Sequence, residues 1–249
     1  MLRGLVIVIM ALDHARDFFL QGMVQDPMTQ PDVPLDLYLT RWVTHFCAPV
    51  FVFLAGTSAG LMAARKSSGE LGAFLAKRGL WLVLVEVTLI STAYTFSPFD
   101  GVPEMGGYTL LGLQVIWAIG ASMLVLAGAQ FLGLRTCAVL GAIILLGHNS
   151  LDDIWPLGGQ DGTDPVWYGL LGQSSTVMGP FLVFFAYPLV PWVGLMLFGY
   201  GTAGVFQLPT EQRDATLVRV GIVMIVAFFL LRVVDIYGDP NPWHWHSGE

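Results

Sequence analysis

The chain has 249 residues, 55% hydrophobic and only 12% charged, with a mean hydropathy of +0.68. Soluble domains carry about 25% charged residues, so a water-soluble fold is excluded and a polytopic membrane protein is expected. The formal net charge of −7 argues against nucleic acid as a partner, because phosphate binding needs clustered Lys and Arg.

About 20 mostly apolar residues span a bilayer. The ranges 2–20, 40–63, 80–96, 109–128, 132–148, 181–206 and 217–234 qualify. They predict an all-α transmembrane bundle of about seven spans, built as one domain over 1–249. No internal repeat is visible, so an inverted-repeat transporter gains no support.

The first segment, LRGLVIVIMALDHARDFFL, carries Arg3, Asp13, His14, Arg16 and Asp17. A cleaved signal peptide would have small residues where Asp13 to Asp17 stand, so the segment is read as a retained helix. Eleven steps bring His14 to within about 20° of Arg3 and about 16 Å along the axis. Ionisable groups in a membrane helix are costly and face a cavity or a bundle interior. Asp17, three positions on, reaches the same face as His14, whereas Asp13 points about 100° away. A carboxylate on one imidazole nitrogen would leave the other free as base or nucleophile. The alternative is a helix end reaching the outer interface, with Asp13 and Arg16 as a local pair.

In the second span, His45 follows Arg41 by one turn. Two histidines at similar depth would suit a proton-handling site; a polar residue at a helix mouth is the alternative. Gly56-x-x-x-Gly60 reads as close helix packing. Glu86 interrupts LWLVLVEVTLI in the third span and must pair or be protonated there. Arg3 is a candidate partner. Gln114 in the fourth span and His148-Asn149 at the end of the fifth are further polar candidates.

Gly199, Gly201 and Gly204 match GxGxxG, but no strand precedes them and they fall in an apolar span, so a dinucleotide site is rejected. Arg232 and Asp235 form an i,i+3 pair at the end of the seventh span. His244-x-His246 is weak support for a metal, and its neighbours Trp243 and Trp245 suggest an interfacial loop. No metal site is expected. Cys47 and Cys137 lie in apolar stretches and form no disulfide framework.

Arg65, Lys66, Lys77, Arg78, Arg135, Arg213 and Arg219 cluster in alternate connections. The opposite connections, 21–39, 97–108, 149–180 and the tail from 236, hold no Lys or Arg but many Asp residues. The positive-inside rule then predicts a cytoplasmic N-terminus in the cell (inner) membrane. Arg3 would lie at the cytoplasmic end and His14 in the outer half.

The stretches RGLVIVIMALDHARDFF, LTRWVTHFCAPVFVFLAGTSAGL, QVIWAIGASML, GHNSLD, YPLVPWVGLMLFGYG and RVVDIYGDPNPW resemble the bacterial branch of the heparan-α-glucosaminide N-acetyltransferase-like membrane proteins. Arg3 and His14 also fit the R-x10-H pattern of the wider transmembrane acyltransferase group, in which the histidine is regarded as catalytic. The resemblance implies transfer of an acyl group, acetyl first, from cytoplasmic acyl-CoA to a carbohydrate on the far side. It also implies further residues before Arg3 and further helices after the last loop, so the chain reads as truncated at both ends.

With that resemblance, His14 is the expected base or acyl carrier, oriented by Asp17 or Asp13, with His45 and Arg41 assisting on the acceptor side. Arg3, Glu86 and Gln114 are the expected acetyl-CoA contacts, Arg3 at the CoA phosphates. Self-association is a further expectation. The rival readings are a proton-coupled transporter or carrier and a non-catalytic membrane subunit.

Overall fold

The computed structural model describes residues 2–19, 34–97, 100–151 and 165–234. Helices α1 (Leu2–Phe19), α2 (Leu35–Thr44) and α3 (Cys47–Ala63) come first. The ladder between α2 and α3 breaks at His45 and Phe46. Pro49, in the first turn of α3, has no N–H to donate to the carbonyl of His45. Phe46 N–H turns back to Val43 O instead, at 3.3 Å.

Helix α4 (Ser68–Val85) opens on a reciprocal cap between Ser67 and Glu70, which satisfies free N–H groups of its first turn. It widens into a π turn at Glu86–Ile90 and continues as α5 (Ser91–Thr95). Strand β1 (Thr109–Leu113) leads through Gln114 into α6 (Val115–Ala129), and α7 (Leu134–Gly147) follows. The short α8 (Pro165–Leu170), β2 (Ser174–Met178), β3 (Phe181–Phe185), α9 (Leu189–Gly201) and α10 (Thr210–Val234) complete the order.

One expectation is corrected. The fold is dominated by helices but not all-α: β1, β3 and β2 form a three-stranded sheet in that order. β1 runs parallel to β3, with Thr109 opposite Phe181 and Leu113 opposite Phe185, and β2 is antiparallel to β3. The expected spans 109–128 and 181–206 therefore each begin with a strand. Five-residue apolar runs such as TLLGL and FLVFF do not distinguish strand from buried helix by period. Pro188 holds Tyr187 out of the helical region, so α9 starts only at Leu189.

Among the described residues, five helices are long and apolar enough to cross a membrane: Leu35–Ala63, Val115–Leu132, Leu134–Leu151, Leu189–Gln207 and Thr210–Val234. The expected spans 2–20 and 80–96 are helical over Leu2–Phe19 and over 80–95. Charges in α1 and the charged start of α4 set them apart in composition.

Helix α9 is the hub, packed against α3, α6 and α7, while α4 lies along α6. Leu71, Leu75, Leu126, Met196, Val52 and Cys137 are buried where these helices meet. Glycines permit the contact. A Cβ at Gly56 would run into the carbonyl oxygen of Met196, and one at Gly79 would stand 2.6 Å from that of Gly120. Small residues bringing backbones together are the usual seam between membrane helices, as Gly56-x-x-x-Gly60 suggested. Gly199 and Gly201 likewise press on α3 and α7, consistent with packing rather than nucleotide binding. α10, by contrast, has no buried residue.

Candidate active site

A cavity of about 310 Å³ opens where α1, the π turn, α5 and the start of α6 converge. Its lining is His14, Glu86, Ile90, Ala93, Tyr94, Gln114, Val115 and Ile116. Four polar side chains thus meet on an apolar wall, the usual composition of a small-molecule site.

The π turn aims two of them. A wide turn takes one residue more than an α turn, so the eight steps from Glu86 to Tyr94 cover the angle of about seven. That is about 20° short of two full turns, which returns Tyr94 to the face of Glu86. Ser91 fastens this turn to the sheet: its Oγ lies 2.9 Å from Glu86 O and accepts the N–H of Gly112 at 3.0 Å.

Glu86 has no solvent exposure. Its Oε2 accepts the backbone N–H of Trp117 at 2.9 Å, and the carboxylate faces the first turn of α6, which begins after Gln114. That turn carries free N–H donors, and the helix end favours an anion. Oε1 of Glu86 has no partner among the described residues. The hydroxyl of Tyr94 donates to Gln114 Oε1 at 3.1 Å, which leaves the amide nitrogen of Gln114 as the donor end of that side chain.

A second polar group ties α1 to α2. Asp13 accepts from Arg16 at 2.5 Å, from Thr44 Oγ1 at 2.6 Å and from Arg41 at 3.3 Å. The i,i+3 pair with Arg16 was legible in the sequence; the partners from α2 were not. Asp13 thus spends its carboxylate on guanidinium and hydroxyl groups. Tyr187, just ahead of α9, packs its ring against Trp192 with centroids 5.0 Å apart, and its hydroxyl is within electrostatic range of Arg41, Asp13, Tyr94 and Glu86.

The other anticipated residues lie as follows. Arg3 donates to Leu54 O at 2.8 Å and to Ser58 Oγ at 2.6 Å, fixing the start of α1 to α3. His45 is exposed at the break between α2 and α3 and does not line the cavity. The side chain of Asp17, and Asp235, His244 and His246, lie outside the described residues. The structure therefore gathers His14, Glu86 and Gln114 in one cavity and places Arg3, Arg41 and Asp13 in interhelical ties. Tyr94 and Tyr187 escaped sequence reasoning, since tyrosine in an apolar segment carries no signal of its own. TAYTF could have flagged Tyr94 only if the wide turn were known.

A bundle of apolar helices bearing an open cavity with an exposed histidine, a buried carboxylate and amide and phenol groups defines a membrane-embedded protein with an enzyme-like site. The family model for the heparan-alpha-glucosaminide N-acetyltransferase catalytic domain matches residues 1–233. The chain belongs to that family, and so to the membrane acetyltransferases. Comparison with curated proteins and with solved structures gives no match.

Proposed function

We propose that the chain moves an acetyl group from acetyl-CoA to an amine or hydroxyl of a carbohydrate, with His14 as the base at the cavity. The observation that carries this reading is the convergence of His14, Glu86, Tyr94 and Gln114 on one cavity, in a family of acetyltransferases. His14 either takes the proton of the acceptor as it attacks or carries the acetyl group itself. Gln114, its oxygen engaged by Tyr94, offers N–H to the thioester carbonyl, whose oxygen gains charge in the transition state.

The N-terminus is assigned to the cytoplasm by the distribution of Lys and Arg, with acetyl-CoA arriving at the Arg3 end and the acceptor from the opposite side of the cell membrane. Arg41 and Asp13 are assigned a positioning role, since their pairing holds the turn of α1 next to His14 against α2. His45, one residue after Thr44, remains the candidate for acceptor contact at the mouth. Asp17 is the candidate to orient the imidazole.

The experiment is transfer or hydrolysis of labelled acetyl-CoA by the purified protein in detergent. His14→Ala should lower the rate by about 10²–10⁴-fold, the usual contribution of a positioned base, with the protein still folded. An unimpaired His14→Ala variant would remove the assignment.

A further inference from the structure

We propose that Oε1 of Glu86 is the anchor for the acyl acceptor: it receives an N–H or O–H of the incoming sugar and holds the attacking atom before His14. This rests on the acetyltransferase reading and adds which substrate the buried carboxylate serves.

Glu86 is completely buried, and its two oxygens are treated unequally. Oε2 is held by the N–H of Trp117, whereas Oε1 is buried and has no hydrogen-bond partner among the described residues, in a residue that lines the cavity with His14. A buried carboxylate oxygen left without a hydrogen bond is costly, and such exceptions call for a ligand or another specific explanation. Ile90, Ala93, Val115 and Ile116 supply no donor from their side chains. The missing donor is one that the substrate brings.

Charge decides which substrate. As the acetyl group is transferred, the lone pair of the acceptor nitrogen or oxygen bonds to the carbonyl carbon and the C–S bond breaks. The acceptor proton passes to His14 and from there to the sulfur, which leaves as the CoA thiol. Negative charge grows on the carbonyl oxygen and positive charge on the attacking atom. A carboxylate beside the carbonyl oxygen would oppose the reaction; beside the attacking atom it favours it. Glu86 therefore belongs to the acceptor, and Gln114 to the carbonyl. This moves Glu86 away from the acetyl-CoA contacts expected from the sequence.

Glu86→Gln tests this. Its amide oxygen would keep the Trp117 N–H and turn the NH₂ into the cavity, replacing an acceptor by a donor. With acetyl-CoA as donor and glucosamine and methyl glucoside as probes, the acceptor KM should rise about tenfold or more, while the acetyl-CoA KM stays within about twofold. That tenfold corresponds to about 1.4 kcal/mol. A rise in the acetyl-CoA KM alone, or no change in either KM, overturns the proposal. If Glu86→Gln does not fold, Glu86→Asp keeps the charge on a shorter arm; a weaker acceptor KM supports the anchor and an unchanged one overturns it. A wild-type chain that neither transfers nor hydrolyses would sink the acetyltransferase reading by itself. Thermal stabilisation by glucosamine, with acetyl-CoA omitted, then decides the anchor: it should appear in the wild type and vanish in Glu86→Gln.

Discussion

Asp13 and Glu86 are both carboxylates withdrawn from solvent in apolar surroundings, yet they are treated in opposite ways. Asp13 is enclosed by two guanidinium groups and a hydroxyl. Glu86 is held by the start of a helix on one oxygen and left open on the other. The difference separates a carboxylate that fastens two helices from one that is kept ready for a ligand. A buried charge with all partners present has no further capacity for chemistry; one with a vacant lone pair does.

Removing the fastening carboxylate should have the largest effect on the fold. Asp13→Ala takes the shared partner from Arg16 and Arg41, and breaking a partly buried ion pair costs about 3 kcal/mol. Thermal unfolding in detergent should show this as a marked fall in midpoint, and a wild-type midpoint would mean the cluster is not a tie. Gly56→Leu disturbs the scaffold without touching either carboxylate. With Met196 O in the way of the new Cβ, overpacking should cost about 2 kcal/mol. Purified protein of wild-type stability would show that α3 and α9 can separate freely.

Glu70 extends the comparison to the surface. Hydrogen bonds from the backbone and hydroxyl of Ser67 hold its carboxyl below the ordinary carboxylate range. A depressed value means the stabilisation is fully present above that ordinary range and is lost as pH falls through the lowered one. Ser67→Ala should cost about 1 kcal/mol and flatten this acid limb of the stability profile. An unchanged limb would assign the acid sensitivity elsewhere. The smallest effect on the fold is expected at Glu86 itself. Glu86→Gln keeps the bond to Trp117 and buries no charge, so its unfolding midpoint should equal or exceed the wild-type one. A large drop would make Glu86 a fastening group like Asp13 and dissolve the contrast.

Much of this was legible in the residues. His14, Glu86 and Gln114 stand out because each is polar inside an apolar run, and all three line the cavity. The apolar lengths gave the helices, because a bilayer demands a minimum run. The sheet was not legible, since strands of five apolar residues look like parts of a helix until pairing reveals them. Nor was the π turn, whose extra residue is supported by Ser91 reaching Gly112, 21 positions away. Asp13 was anticipated beside His14, but Arg41 and Thr44, 28 and 31 positions on, claim it. Such choices are made between elements and leave no local signal.

The walls of the cavity are not equally secured. Pairing of β1 with β3 joins the chain just before α6 to the chain just before α9, Ser91 ties the π turn to Gly112 of β1, and glycine contacts clamp α4 to α6. The remaining side, α1, is tied to α3 through the arm of Arg3 and to α2 through Arg41 and Thr44 on Asp13. Loosening a few long side chains costs far less than unzipping a backbone ladder. The wall that bears the imidazole is therefore the one held by side chains, and the wall opposite is the one held by backbone.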